Sequence, residues 1–173
     1  MKKVILYIAQ SLDGYVATKD GSVAWLDEFN KADTDYGYNE FIKNIDTCVQ
    51  GDTTYQQFKH LYEGKNNYIF ASDAESRSLE GATFVKGGIK EFVDSLDEKT
   101  HKNIWLVGGP NLAKQFFNEG YIDEMIIFTM PVLLNDGISL FNNLTAEPRI
   151  SLKDIKKYDN GVVVSHYTIK RKI

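Results

Sequence analysis

The stretch Ile104-Trp105-Leu106-Val107-Gly108-Gly109-Pro110-Asn111-Leu112 carries the pattern that decides the fold. Its first four residues predict a buried strand, and the chain then passes through paired glycines into a helix that reaches about Asn118. Glycines let a backbone approach a pyrophosphate closely, while the start of a helix offers free N–H groups and a positive dipole end. The alternative for this turn is a simple reversal of the chain.

Two further turns have the same strand-to-helix or strand-to-loop character. One is Val49-Gln50-Gly51-Asp52-Thr53-Thr54-Tyr55, in which a small hydroxyl at the helix start either caps the helix or donates to a phosphate oxygen. The other is Ile69-Phe70-Ala71-Ser72, in which Ser72 is a candidate contact for an adenosine phosphate. Because ligands in open α/β sheets collect beyond the carboxyl ends of the strands, these turns predict a ligand site.

Outward from these turns, strands and helices alternate along the chain until two final strands, which Asp159-Asn160-Gly161 joins as a hairpin. The pattern predicts an α/β domain with a mainly parallel sheet of about eight strands, about four helices and a C-terminal antiparallel hairpin. Without repeats or linkers, residues 1–173 are expected to form a single domain. The predicted strands cover residues 3–10, 47–50, 68–71, 83–85, 104–107, 124–132, 151–157 and 162–170, and the predicted helices 35–45, 53–62, 89–96 and 111–118.

Composition excludes several functional classes. The net charge of −4 argues against a nucleic-acid partner, and the apolar run at residues 4–8 is too short for a signal segment or a membrane span. Cys48 is the only cysteine, so the chain cannot form an internal disulfide, and we expect a cytoplasmic protein. Because the three histidines lie far apart in the sequence, no metal site is expected. The sequence also lacks phosphate-binding P-loop, nucleophile-elbow and zinc-protease motifs.

In their order and spacing, these turns resemble the dihydrofolate reductase-like superfamily, and most closely its riboflavin biosynthesis reductase (C-terminal domain) branch. The resemblance covers nearly the whole chain and implies a three-layer fold with a twisted, mostly parallel sheet. It also implies a cis Gly-Gly peptide that lies against the cofactor. The motifs that carry it are Ser11-Leu12-Asp13-Gly14, Gly51-Asp52-Thr53-Thr54-Tyr55, Val107-Gly108-Gly109, and the stretch from Asp123 to Val132 followed by Gly137 and Leu140-Phe141.

The resemblance implies a dinucleotide cofactor, NADPH or NADH, beside a small-molecule substrate. It assigns substrate roles to Thr129, as the support of a substrate-binding carboxylate, and to Trp25, as a shield for the nicotinamide. The alternatives for these two residues are an ordinary strand threonine and a core tryptophan. The positions implied to contact the cofactor are Ala9, Gly51, Asp52, Thr54, Ser72, Gly108, Gly109, Asn111 and Leu112.

Asp35 stands sixteen residues before Gly51, the spacing at which dihydrofolate reductases keep their substrate-binding carboxylate. The resemblance therefore makes Asp35 the candidate catalytic residue, and we expect desolvation in an apolar cleft to raise its pKa so that it holds a proton near neutral pH. The alternative is an acid that caps the following helix.

Asp52 departs from the family pattern because it occupies the position of an arginine, and no arginine follows the Gly108-Gly109 turn. Those cations normally pair with the 2′-phosphate of NADPH. Asp52 is therefore expected to weaken the preference for NADPH, and instead to accept a hydrogen bond from the ribose of NADH. Alternatively, Asp52 points into solvent while Lys86 or another cation meets the phosphate.

These features predict an NAD(P)H-dependent reductase acting on a C=N or C=O of a pterin-like or ribosylaminopyrimidine compound. The sequence leaves open whether it is a dihydrofolate reductase or a 5-amino-6-(5-phosphoribosylamino)uracil reductase of riboflavin biosynthesis. The alternative from another class is a non-catalytic module that keeps the fold and binds a small ligand, an interpretation that Asp52 favours. The long apolar strand at residues 124–132 and the terminal hairpin predict a homodimer.

Overall fold

The structure is a computed structural model that describes residues 2–30, 33–145 and 147–170. In chain order, the strands are β1 (Lys3–Ser11), β2 (Tyr15–Ala17), β3 (Thr47–Gly51), β4 (Asn66–Phe70), β5 (Ala82–Val85), β6 (Asn103–Gly108), β7 (Glu124–Met130), β8 (Ile138–Ser139), β9 (Ile150–Lys157) and β10 (Val163–Ile169). The α-helices are α1 (Asp27–Asn30), α2 (Tyr38–Lys43), α3 (Asp52–Phe58), α4 (Ile89–Ser95) and α5 (Pro110–Asn118).

Eight of these strands form one sheet, in the order β5-β4-β3-β6-β1-β7-β10-β9. All neighbours from β5 to β7 are parallel, whereas β10 runs antiparallel to both β7 and β9. The turn between β9 and β10 closes through the amide of Gly161, which donates to the carbonyl of Tyr158 at 2.9 Å. The mostly parallel sheet and its C-terminal antiparallel hairpin confirm the predicted fold class.

Helices cover both faces of the central strands because the strands are apolar on both sides. On one face, α4 and α5 pack over buried side chains such as Leu6 and Leu106. In α5, Leu112, Ala113, Phe116 and Phe117 are buried at helical spacing, and Phe116 is fully buried. Truncating Phe116 to alanine would cost about 3–5 kcal/mol of folding stability. On the other face, α2 packs over a second cluster formed by Ile5, Ile45, Cys48 and Trp105.

Two predicted helices are shorter in the structure. The helix predicted over residues 35–45 begins at Tyr38, because Gly37 before it has a left-handed backbone with φ of 88°. The helix predicted over residues 53–62 begins at Asp52 and ends at Phe58, because Lys59 is left-handed with φ of 50°. Phe58, the last residue of α3, is 51% exposed.

The short strands β2 and β8 pair in a small second sheet that the sequence pattern did not predict. At Gly137, immediately before β8, a Cβ atom would lie only 2.2 Å from the carbonyl oxygen of Ala17. The backbone there also has a φ of +154°, which favours glycine. Strand β2 of this small sheet contacts β1, and residues of both β2 and β8 line the candidate site described below.

Candidate functional site

A cleft of about 710 Å³ opens at the carboxyl ends of β1, β3 and β6, three adjacent strands in the centre of the large sheet. This is the edge at which open α/β sheets bind ligands, and the volume is typical of a small-molecule site. Of the predicted cofactor contacts, the structure brings six to this cleft: Ala9, Gly51, Thr54, Gly109, Asn111 and Leu112.

One end of the cleft is formed by two glycine turns that touch each other. Gly108 and Gly109 are joined by a cis peptide bond, as the resemblance implied. A Cβ on Gly109 would lie 3.1 Å from the hydroxyl of Thr54, and a Cβ on Gly51 would lie 3.8 Å from the backbone nitrogen of Gly109. Because side chains are absent here, the cleft wall is bare backbone, which a large ligand can approach closely. We call this part of the cleft the glycine end.

A second group of neighbouring lining residues consists of Tyr38, Tyr62 and Trp105, together with His60 and Gln50, and we call it the aromatic end. The ring centroids of Tyr62 and Trp105 are 4.6 Å apart, and those of Tyr38 and Trp105 are 6.0 Å apart. Burial raises the pKa of both Tyr38 and Tyr62, so both phenols stay neutral. This aromatic end presents ring surface with a few polar groups.

A third set of residues covers the cleft from the side of the small sheet. Val16, Ala17 and Ile138 come from β2 and β8, and Leu26 comes from the segment after β2. The side-chain amide of Gln57, on α3, donates to the carbonyl of Gly21 at 2.9 Å and so ties the cover to the helix on the other side of the cleft. The cover is mainly apolar.

Asp52 begins α3 at the rim of the cleft, where it meets a cation that the sequence motifs did not reveal. Nη1 of Arg77 lies 2.8 Å from Oδ1 of Asp52 and 3.4 Å from Oδ1 of Asp73, and its guanidinium lies 4.1 Å from the ring centroid of Phe84. Burial raises the pKa of Asp52, but hydrogen bonds from Arg77 and Gln56 outweigh it and hold the pKa below its usual value. Arg77, which also pairs with Asp73, therefore offsets only part of the negative charge at this rim.

Asp35 does not line the cleft. Its carboxylate is exposed and accepts hydrogen bonds from the backbone N–H groups of Gly37, at 3.0 Å, and Asn39, at 2.9 Å, where α2 begins. These bonds lower the pKa of Asp35, so the expected rise in its pKa is wrong: the group is hydrated and bonded to donors rather than desolvated. This geometry is that of the helix-capping alternative, and the catalytic role of Asp35 stays a prediction.

Four other predicted contacts also lie outside the lining of the cleft, and one of them is Gly108, whose neighbour Gly109 does line it. Trp25 packs against Phe29 and Phe128, and no hydrogen-bond partner for its buried Nε1 is found within the described residues. Thr129 lines a separate depression on the sheet together with Gln10. Ser72 is exposed just after β4, beside the strand end that carries Gly51.

The residues that the structure adds to the site are Gln50, His60, Tyr38, Tyr62, Trp105 and Arg77. Gln50 could have been noticed in the sequence, since it is a polar side chain inside an otherwise buried strand.

Within the described ranges, no cluster of histidine, cysteine and carboxylate side chains could hold a metal ion. In the same ranges, no helix has both the length and the apolar character needed to cross a bilayer.

Comparison with known sequences gives a consistent set of relatives. The family model described as "RibD C-terminal domain" matches residues 50–164. YwjB of Bacillus subtilis, an uncharacterized protein, is 40% identical over 171 residues, covering 96% of this chain and 97% of YwjB. The riboflavin biosynthesis protein RibD of Corynebacterium ammoniagenes is 26% identical over 153 residues, which cover 79% of this chain but only 45% of RibD.

Solved structures share the fold over nearly the full length. A protein from Shewanella sp. PV-4 assigned to riboflavin biosynthesis superimposes with a TM-score of 0.86 at 26% identity, covering 98% of this chain and 99% of that protein. Dihydrofolate reductase of Enterococcus faecalis, complexed with NADP(H), gives a TM-score of 0.65 at 12% identity and covers 96% of each chain. At that identity, the second likeness concerns the fold alone.

Proposed function

Because this chain belongs to the RibD C-terminal domain family, and with it to the dihydrofolate reductase-like reductases, we propose that it is an NAD(P)H-dependent reductase. The proposed reaction is hydride transfer to a C=N or C=O bond of a pterin-like or ribosylaminopyrimidine compound. A cytoplasmic location is part of the proposal. The observation that supports the proposed reductase activity is the cleft, which has bare backbone at the glycine end and aromatic side chains at the aromatic end.

The glycine end fits a dinucleotide, because a Cβ at Gly109 would be in tight contact with Thr54 and the bare backbone leaves room for a pyrophosphate. Thr54, Asn111 and the backbone of Gly109 would hold the cofactor there. When bound, a reduced nicotinamide would supply the hydride. The chain itself would orient both molecules along the cleft, and its apolar cover would exclude water from the reacting centre.

The reduced product also needs a proton on nitrogen or oxygen. No carboxylate occurs among the described residues that line the cleft, whereas His60 lies at the aromatic end and is exposed, so its imidazole can exchange protons with solvent. Asp35 remains the alternative donor that the family resemblance implies. Replacing each residue separately distinguishes the two sources.

The experiment that tests the proposal measures cofactor binding before catalysis. The fluorescence of NADPH and of NADH is titrated with the protein, and the oxidation of each reduced cofactor is then followed with dihydrofolate and with 5-amino-6-(5-phosphoribosylamino)uracil. Binding of at least one cofactor and turnover of at least one heterocycle is the expected result. Failure of both cofactors to bind would refute the proposal.

A second candidate function is a non-catalytic module that binds a small ligand. The observation that favours it is the position of Asp35, whose carboxylate caps a helix outside the cleft instead of facing a substrate. The module predicts that a heterocycle binds without any oxidation of the bound cofactor. The same titration and turnover measurements therefore separate the two functions.

We also propose that two copies of the chain associate through the outer strand β9. Ile150, Leu152 and Ile155 are 45%, 57% and 58% exposed. They pair with Ile169, Tyr167 and Ser165, alternate residues of β10, so all three share one face of the sheet. A strand edge without a partner beside such an apolar surface favours association, and a second copy supplies a matching surface.

A further inference from the structure

Gln50 is the most buried polar side chain that lines the cleft. It stands in β3 between Val49 and Gly51, and only 2% of its surface is exposed. Its Nε2 donates to the backbone carbonyl of His60 at 2.9 Å. Buried amides in proteins have their donors and acceptors paired, so the use of each Gln50 atom requires an explanation.

The partner at His60 fixes the orientation of the amide. A backbone carbonyl can only accept a hydrogen bond, so the NH₂ group of Gln50 must face it and Oε1 must face away. Within the described residues, Oε1 of Gln50 has no protein partner, and it is not among the polar atoms sealed from solvent. Because Gln50 lines the cleft and its Nε2 is bonded to His60, Oε1 is the atom of this amide left to accept a hydrogen bond from a ligand.

The surroundings of this acceptor are mainly aromatic. Tyr38, Tyr62 and Trp105 supply flat apolar surface, and burial keeps the two phenols neutral. No lysine, arginine, aspartate or glutamate is found among the described residues that line the cleft, and His60 is the one lining side chain able to carry a positive charge. A phosphate monoester carries nearly two negative charges and is normally bound by arginine, lysine or several backbone amides.

We infer that the aromatic end binds an uncharged, planar nitrogen heterocycle through a ring N–H that donates to Oε1 of Gln50, and that it selects against substrates carrying a phosphate. This inference rests on the proposed function and narrows it. Of the two substrate types considered above, it favours the pterin-like one, or a ribosylaminopyrimidine without its 5-phosphate. Gln50 is then a specificity-determining residue, because a bound ring without the N–H would shield this acceptor from water and leave it unpaired.

The first test uses the wild-type protein and needs no substitution. Calorimetric titration compares 5-amino-6-(5-phosphoribosylamino)uracil with its dephosphorylated form, in the presence of saturating cofactor. We expect the dephosphorylated compound to bind more tightly than the phosphorylated one, by about threefold or more. If the two bind equally, or the phosphorylated compound binds more tightly, the inference is overturned.

The second test examines the hydrogen bond to Gln50. Affinities are measured for 7,8-dihydropterin and its ring N-methyl analogues with the wild type and with Gln50→Met, which keeps the length of the side chain but removes the acceptor. We expect the wild type to bind one N-methyl analogue about tenfold more weakly than the parent, and Gln50→Met to bind the two within about twofold. Gln115→Met is the matched control, since Gln115 also donates to a backbone carbonyl but lies outside the cleft.

Equal weakening of both ligands in Gln50→Met would contradict the inference, because that result shows a general loss of structure and no recognition of the N–H. If Gln50→Met does not fold, the comparison of phosphorylated and dephosphorylated ligands on the wild type still decides the selection against phosphate. Cofactor titration is run on each protein. Loss of cofactor binding by the wild type would count against the proposed reductase, whereas intact cofactor binding with preference for the phosphorylated ligand would count against this inference alone.

Discussion

Replacing Asp52 by asparagine removes one negative charge at the rim of the cleft while preserving the size of the side chain. In the wild type, Arg77 is held by Asp52 at 2.8 Å and by Asp73 at 3.4 Å, so the three groups together carry a net negative charge. A 2′-phosphate brought to this rim meets that net charge, whereas the 2′-hydroxyl of NADH does not. In Asp52→Asn, the three positions become neutral overall and Arg77 is freer to pair with the phosphate.

The size of the effect follows from distance and screening. Two unit charges about 4 Å apart interact by about 1 kcal/mol in water and about 4 kcal/mol near a protein surface. Because the side chain of Asp52 is 33% exposed and that of Arg77 is 19% exposed, solvent screening places the effect near the lower end. At about 1–2 kcal/mol, Asp52→Asn should strengthen NADPH binding by about 5- to 30-fold and change NADH binding by less than about twofold.

The assay compares dissociation constants for NADPH and NADH at low ionic strength, since salt screens exposed charges. Glu75→Gln is the matched control: it removes one negative charge from the loop that carries Asp73 and Arg77, but Glu75 pairs with Lys86 and not with Arg77. In an Arg77→Met background, Asp52→Asn should gain much less affinity for NADPH, which a double-mutant cycle measures. If the wild type already binds NADPH far more tightly than NADH, and Asp52→Asn leaves that ratio unchanged, the reasoning is refuted.

Three further predictions concern association, pH and the proton source. Leu152→Asp and Ile155→Asp should shift a wild-type dimer toward the 19.7 kDa monomer in sedimentation experiments, and a wild type that is monomeric at micromolar concentration would disprove the proposed interface. Burial raises the pKa of Glu124, but hydrogen bonds from Lys3 and His166 outweigh it and hold the pKa below normal. The ionised Glu124 therefore stabilises the folded protein at pH values above the unfolded pKa, and this stability is lost as the pH falls through the folded pKa. Glu124→Gln should lower the free energy of unfolding, measured with urea, by on the order of 1–3 kcal/mol at pH 7 and by much less near pH 3. Asp35→Asn should keep turnover within about threefold, because the carboxylate caps α2 outside the cleft; a loss of about 100-fold would restore it as the proton donor.

The backbone of the site could be predicted from the sequence, because it depends on glycines at strand ends. Gly51 and Gly109 mark the places where the chain leaves a buried strand, and parallel strands bring those places to one edge of the sheet. Element bounds were less accurate where one residue takes a left-handed backbone, as Lys59 does at the end of α3. The pairing of β2 with β8 joins segments more than a hundred residues apart, and such short strands leave no local pattern.

Side-chain roles were harder to predict, since spacing along the chain does not give direction in space. Asp35 has the family's distance from Gly51, yet the left-handed Gly37 turns the chain so that the carboxylate meets the N–H groups at the start of α2. Thr129 lies in β7, where successive side chains alternate between the two faces of the sheet, but it lines a depression that is separate from the cleft. In a strand, a period of two leaves the choice of face open until the neighbouring elements are known.

Arg77, the cation at the rim of the cleft, was also missed in the sequence, and its position bears on the choice of function. Arg77 lies twenty-five residues after Asp52, outside both motifs in which an arginine was sought, and reaches Asp52 because β3 and β4 are parallel neighbours. Asp52 favoured the non-catalytic module only because its charge was thought to stand alone beside the cofactor. With Arg77 at 2.8 Å, that charge opposes a 2′-phosphate but not a dinucleotide as such. The departure from the family pattern therefore bears on which cofactor is preferred, and the argument against the reductase rests on the position of Asp35 alone.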